Sequence, residues 1–155
     1  MKNLATLILC VCMACLQAVA ETVQVTGPDG KLQVTVESSK SGKTYYTVTY
    51  GGKLMVERSP LGLHTNYGDF YHDMKLVVHH TDVIDKTYRQ DRIKASEIRY
   101  QANELVCSFE NLRKQKMDIT FRVSNNDVAF RYTLHKSGET GSVVVNDEAT
   151  GFRFP

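Results

Sequence analysis

Cysteine is scarce where it would matter for folding. Of the four cysteines in the 155-residue chain, Cys10, Cys12 and Cys15 crowd near the start and only Cys107 lies beyond them. A disulfide within the rest of the chain is therefore excluded, and an apolar core must hold the fold. A chain of this length makes one domain, which buries about two-thirds of its unfolded surface. An excess of one charge is lacking too. Nineteen Lys and Arg stand against 17 Asp and Glu. No basic cluster is dense enough to read as a nucleic-acid or anionic-membrane surface. The richest stretch, Arg113-Lys114-Gln115-Lys116, sits between two strand patterns and reads as a solvated loop. No internal repeat, low-complexity tract or interdomain linker is present.

A long membrane-spanning run is also missing. Leu4 to Leu16 is apolar, with Lys2 before it and Ala18-Val19-Ala20 after it. The run is too short for a good span, and it ends in a small-x-small cleavage pattern, so residues 1–20 read as a secretory signal. The mature chain would open at Glu21, in the periplasm or outside the cell, with no membrane insertion after cleavage. The alternatives are an uncleaved anchor or a lipoprotein acylated at Cys15. Cys12-Met13-Ala14 is a poor approach to an acylation site.

What is abundant is alternation with period two. Leu32, Val34 and Val36 alternate with polar residues, as do Tyr46, Val48 and Tyr50. The same holds for Met117, Ile119, Phe121 and Val123, and for Val128, Phe130, Tyr132 and Leu134. Each set describes a strand with one buried and one wet face. Gly27-Pro28-Asp29-Gly30, Gly51-Gly52 and Asn125-Asn126 supply turns between them. Residues 93–105 carry a weak helical spacing, but a hairpin turning at Ala102-Asn103, with arms Ile98–Tyr100 and Leu105–Phe109, fits better. Residues 65–92 are the least regular and suggest a long excursion between strands. Short strands punctuated at this interval imply an all-β fold, a β-sandwich.

Chemistry-bearing residues form no strong motif. His64, His72, His79 and His80 are the histidines that zinc could use, but His79 and His80 point to opposite faces of a strand, and the familiar ligand spacings are missing. Asp82, Asp85 and Asp91, with the pair Asp147-Glu148, offer oxygen ligands without an EF-hand pattern. Paired carboxylates can hydrolyse a glycosidic bond, but the sequence does not say which converge. Ser59 and Ser142 lack a nucleophile elbow. Cys107 sits in a strand pattern and reads as a small strand residue. Among the aromatics Tyr45, Tyr46, Tyr50, Tyr67, Phe70, Tyr71 and Tyr88, Tyr46 and Tyr50 share an apolar face and read as core and cross-strand residues. Tyr67, Phe70 and Tyr71 are the better candidates for a surface that stacks on sugar rings. No catalytic, cofactor-binding or metal residue can be assigned on these grounds.

Ordered strings take the reading further. Gly27-Pro28-Asp29-Gly30-Lys31-Leu32, then Tyr46-Thr47-Val48-Thr49-Tyr50-Gly51-Gly52-Lys53, then Ser59-Pro60-Leu61-Gly62-Leu63 resemble the opening of the N-terminal domain of glycoside hydrolase family 97. Asn103-Glu104-Leu105, the stretch from Met117 to Tyr132, and Glu148-Ala149-Thr150-Gly151-Phe152-Arg153-Phe154-Pro155 continue the series. The resemblance implies a galactose-mutarotase-like supersandwich over residues 21–155, a partial domain whose missing strands would leave open edges. It implies an α-glucosidase or α-galactosidase family in which a (β/α)8 barrel, absent from this chain, performs catalysis on α-linked glycans. Calcium is expected in the full-length enzyme, with its ligands and the catalytic carboxylates beyond Pro155. The chain by itself is then a non-catalytic, carbohydrate-binding-like domain. The competing readings are a stand-alone carbohydrate-binding module and a periplasmic interaction protein.

Overall fold

The computed structural model describes residues 20–89, 97–136, 138–139 and 141–155. Residues 1–19, which hold nearly all of the expected signal segment, lie outside the described residues, as does Asp91. Strands dominate, and no helix occurs among the described residues. β1 (Glu21–Thr26), β2 (Leu32–Ser38), β3 (Thr44–Tyr50) and β4 (Lys53–Leu61) form one antiparallel meander. β5 (Leu63–Thr65) follows β4. β6 (Lys75–Arg89), β7 (Glu97–Glu110), β8 (Lys116–Val123) and β9 (Val128–Leu134) form a second four-stranded meander. β10 (Val145–Glu148) returns to pair antiparallel with β5. The fold is the β-sandwich that the alternation implies.

The turns are where glycine and small polar residues put them. Gly51 and Gly52 have φ of 54° and 81°, the left-handed pair of a primed two-residue hairpin closing β3 on β4. Between β8 and β9, the Ser124 hydroxyl accepts from the backbone N–H of Asn126 and Asp127 and donates to the Asp127 carboxylate.

The inner faces of the two sheets differ in bulk. The first contributes Val23, Val25, Val34, Val36 and Val48, and the second Leu105, Phe109, Met117, Ile119 and Phe121, all buried. Short β-branched residues opposite long ones let the layers interdigitate. Each fully buried side chain of this size contributes about 1.5–3 kcal/mol. Tyr46 reaches across from the first sheet, its ring centroid 5.8 Å from those of Phe121 and Phe130. Tyr50, expected on the same buried face, is 44% exposed because it ends its strand beside the hairpin glycines. β9 is an edge strand of its sheet, and Val128, Phe130, Tyr132 and Leu134 are only half-buried.

Two expectations for the middle of the chain are corrected. Ala102-Asn103 is not a turn: β7 runs unbroken from Glu97 to Glu110, paired residue by residue with β6 and, from Asn103 on, with β8. The apolar alternation changes phase there, which imitates a turn. Ile98, Tyr100 and Ala102 occupy even positions, while Leu105, Cys107 and Phe109 occupy odd ones. In a continuous strand the two sets lie on opposite faces of the sheet, and the burial pattern changes phase at the same point. Where the change occurs, the Asn103 side chain donates to the Thr26 carbonyl at 2.7 Å and ties β7 to β1. The irregular excursion is also shorter than expected. Among its described residues only 66–74 are irregular, and β6 occupies the rest up to Arg89; residues 90–92 lie outside the described residues. Most of β6 is exposed on both faces, so no buried face imposes an apolar alternation on it.

Candidate functional site

The loop joining β5 to β6 is short, polar and tightly held. Gly62, just before β5, packs against it: a Cβ there would lie 2.9 Å from the Phe70 carbonyl oxygen and from Tyr71, so only glycine allows the two passes of chain to touch. Thr65 Oγ1 accepts from the N–H groups of Tyr67 and Gly68 and donates to the Gly68 carbonyl. Phe70 is fully buried and its N–H bonds the Leu63 carbonyl at 2.9 Å. From the turn after β7, Asn111 Nδ2 donates to the Asp69 carbonyl and Gln115 Nε2 to the Tyr67 carbonyl. Backbone and side-chain bonds thus fix both flanks of Asp69.

That frame brings His64, Asp69 and His72 together. An isolated antiparallel bridge joins His64 to Asp69. His64 Nδ1 lies 3.4 Å from Asp69 Oδ1, and His72 Nδ1 lies 2.8 Å from Asp69 Oδ2. Oδ1 also accepts from the backbone N–H of Tyr71 and His72 at 2.8 and 3.2 Å. Burial alone would raise the Asp69 pKa. The hydrogen bonds from His72 and from the two backbone N–H groups, with the nearby His64, outweigh it and hold the carboxyl below its usual value. The Tyr71 ring stands edge-on to both imidazoles, 5.5 Å from His64 and 4.6 Å from His72, and Lys43 caps its face at 4.6 Å. A cleft of about 350 Å³ adjoins the cluster, lined by Asn66, Asp69, His72, Asp73, Asn111 and Arg113 among others.

The other candidates are dispersed. His79 and His80 are exposed on β6, opposite Cys107 and Val106, and so point to different faces. Asp82 lies 3.7 Å from His80. Asp85 is occupied by Arg99 and Gln101, and the Arg99 hydrogen bond holds its pKa down. Asp147 stands opposite His64 on β10, with Glu148 beside it, both exposed. Among the described residues these carboxylates form no converging group of three or more. Ser59 is buried, donating to the Glu57 carbonyl and accepting from the Arg153 N–H. Ser142 is exposed. Cys107 is fully buried, and burial pushes its thiol up to about 12, which rules out a nucleophilic role. On the outer face of the second sheet, Ser108 bonds Asp118 at 2.6 Å and His135 bonds the other carboxylate oxygen at 2.7 Å. The hydroxyl gives its proton to the carboxylate instead of the imidazole, so this is not an activated serine.

Of the candidate sugar-stacking aromatics at residues 67–71, Phe70 is not on the surface. Phe70 belongs to the core, Tyr67 packs against that core, and Tyr71 sits between Lys43 and the two imidazoles. Tyr45 lies under the Arg58 guanidinium at 3.3 Å, and Tyr88 is exposed on β6. Two residues escaped sequence reasoning. One is Asp69, for which the spacing His64-x4-Asp69-x2-His72, with Gly68 inside it, is an available signal. Tyr132 was read only as a strand residue. Its hydroxyl accepts from the Gly62 N–H at 3.1 Å and bonds Thr150 at 2.6 Å, joining β9 to the residue that precedes β5.

The family model described as glycosyl-hydrolase 97 N-terminal matches residues 25–155. The chain belongs to this family. A probable retaining alpha-galactosidase of Streptomyces bingchenggensis is 28% identical over 132 residues, covering 82% of this chain and 20% of the relative. A retaining alpha-galactosidase of Bacteroides thetaiotaomicron is 28% identical over 134 residues, covering 85% and 19%. Among solved structures, a beta-arabinopyranosidase superposes with a TM-score of 0.82 at 54% identity, over 86% of this chain and 21% of that one. A family 97 enzyme from Pseudoalteromonas sp. strain K8, in complex with panose, gives 0.77 at 19% identity, over 85% and 20%, which is a likeness of fold. The chain thus spans about a fifth of the length of the relatives it matches, and the rest of those enzymes, where the resemblance puts the catalytic barrel, has no counterpart in the 155 residues.

Proposed function

We propose that this chain acts as the non-catalytic N-terminal β-sandwich of a secreted family 97 glycoside hydrolase, supporting a catalytic barrel that acts on galacto-configured sugars. The observation that carries the reading is the family match from residue 25 to 155, on a fifth of the length of enzymes named as glycosidases. The sugar class follows from the names of those relatives. An α-D-galactopyranoside and a β-L-arabinopyranoside share ring stereochemistry and differ by one exocyclic hydroxymethyl group. The half-buried β9, with Phe130 packed on the 60%-exposed Phe152, supplies an apolar face for the barrel to cover.

A chimera tests this. Residues 25–155 replace the corresponding segment of the 54%-identical beta-arabinopyranosidase, and the product is assayed with aryl galactosides and arabinopyranosides. Retained activity is expected, with none from the 155-residue chain alone. A soluble, folded chimera without activity overturns the scaffold reading. Sugar binding by the sandwich itself has weaker support, because Phe70 is buried and Tyr67 packs on the core; titration of the chain with α-galactosides checks it. Secretion to the periplasm rests on the leader pattern, and a mature N-terminus at Glu21 is the expected result of sequencing the exported protein.

A further inference from the structure

We propose that His64, Asp69 and His72 form a binding site for a divalent transition-metal ion of the zinc type. One ring nitrogen from each imidazole and one carboxylate oxygen all lie within 4.8 Å of one another, and this is the one group of three or more His, Cys, Asp or Glu that converges so among the described residues. Zinc holds nitrogen and oxygen ligands at about 2.0–2.2 Å, so two ligand atoms at a tetrahedral angle are about 3.3–3.5 Å apart. His72 Nδ1 lies 2.8 Å from Oδ2 and His64 Nδ1 3.4 Å from Oδ1, so the carboxylate faces the two rings with different oxygens, and small side-chain shifts would bring all three groups onto one ion. A metal would enter between Asp69 and the rings, replacing the His72 proton that now bridges to Oδ2.

Three features separate this cluster from a chance meeting of surface side chains. The ligands come from a strand and a nine-residue loop whose backbone is bonded at residues 65, 67, 68, 69 and 70, so little ordering remains to be done on binding. Asp69 takes two backbone N–H bonds on Oδ1, which orients the carboxylate and leaves Oδ2 directed at His72. The Tyr71 ring contacts both imidazoles and is itself held by Lys43, which limits ring rotation. Two nitrogens with one oxygen favour zinc, cobalt, nickel or copper over calcium or magnesium, which require oxygen-rich sets. Three protein ligands leave a fourth position for water or a ligand group beside the cleft lined by Asn111 and Arg113. The inference stands apart from the proposed scaffold role, since its three ligands lie on β5 and the 66–74 loop and include no residue of β9.

The test uses the full chain carrying Cys10→Ser, Cys12→Ser and Cys15→Ser, so that leader thiols cannot bind the metal. Zn²⁺ is titrated calorimetrically, and thermal unfolding is followed with and without Zn²⁺. The expected result is one saturable site, a rise in Tm with added Zn²⁺, and visible d–d bands of tetrahedral Co²⁺ when cobalt is used. His64→Ala and His72→Ala each weaken binding at least tenfold, and Asp69→Asn does the same while the amide oxygen keeps the backbone bonds. His79→Ala and His80→Ala leave affinity unchanged, and excess Ca²⁺ or Mg²⁺ does not compete. The proposal is overturned by the absence of saturable binding at millimolar Zn²⁺, or by a folded Asp69→Asn or His64→Ala/His72→Ala protein that binds as tightly as the parent.

Discussion

The two halves of β7 make a natural comparison, because they share one strand, one partner and one hydrogen-bond ladder. From Leu105 to Phe109, every second residue is fully buried beneath the first sheet. From Glu97 to Gln101, no residue is buried, and the half-covered Ile98 and Tyr100 lie on the other face. In the first half β8 continues the sheet and β1 closes over it; in the second, β6 is the only strand paired with β7. A two-stranded ribbon is only marginally stable by itself. The outer part of the β6–β7 hairpin is therefore an arm carried by the sandwich, and its stability is borrowed through Ala102 and Asn103.

Several measurements would break or sharpen that contrast. The largest effect is expected in the core: Phe121→Ala removes a ring packed between Tyr46 and Phe130 and should cost about 3–5 kcal/mol in urea denaturation. Next is the protection of Cys107. At pH 8 an alkylating reagent should label it, as located by mass spectrometry, only at the rate of global unfolding; fast labelling of the folded protein would show that the inner half opens locally. Amide exchange should then separate the two halves, with residues 97–101 exchanging at least about tenfold faster than 105–109. Equal rates would mean that the arm and sandwich are one cooperative unit.

Smaller effects concern charge and surface. The Arg58 hydrogen bond on Glu37, opposed by burial and assisted by the charge of Arg58, holds the Glu37 pKa below 4.5. A depressed folded pKa contributes stability that is present above the ordinary carboxylate value and is lost as pH falls from about 4.5 through the folded value. Arg58→Gln should accordingly lower stability at neutral pH by about 1 kcal/mol or less, given its exposure, and the difference from the parent should vanish in acid. On the arm, Val83 is 81% exposed, so Val83→Thr should change global stability by less than about 0.5 kcal/mol. A cost like that of Phe121→Ala would refute the division into core and arm.

Most of the sandwich was legible because the period of two is local. Val34, Val48, Ile119 and Phe121 fall on buried faces as their neighbours imply, and Gly51-Gly52 turns the chain where positive φ is needed. β7 was misread because a change of phase and a turn look alike in a one-dimensional pattern. Only the ladder with β6 distinguishes them. β6 itself gave little signal, since a strand exposed on both faces has no reason to alternate. Phe70 was misplaced for a related cause: its polar neighbours advertise a surface loop, yet its own ring is the plug that closes the loop onto the core.

By itself, then, the amino-acid order determined the all-β class, the main turns, the single cysteine beyond residue 15 and the family, each of which depends on residues near one another or on strings in series. Tertiary structure decided where the apolar set of β7 changes face and which half of that strand is covered. It also decided that His64, Asp69 and His72, but not His79 and His80, share a site. Side-chain convergence depends on how a loop closes against strands far along the chain, here through Asn111, Gln115 and the space that Gly62 leaves open.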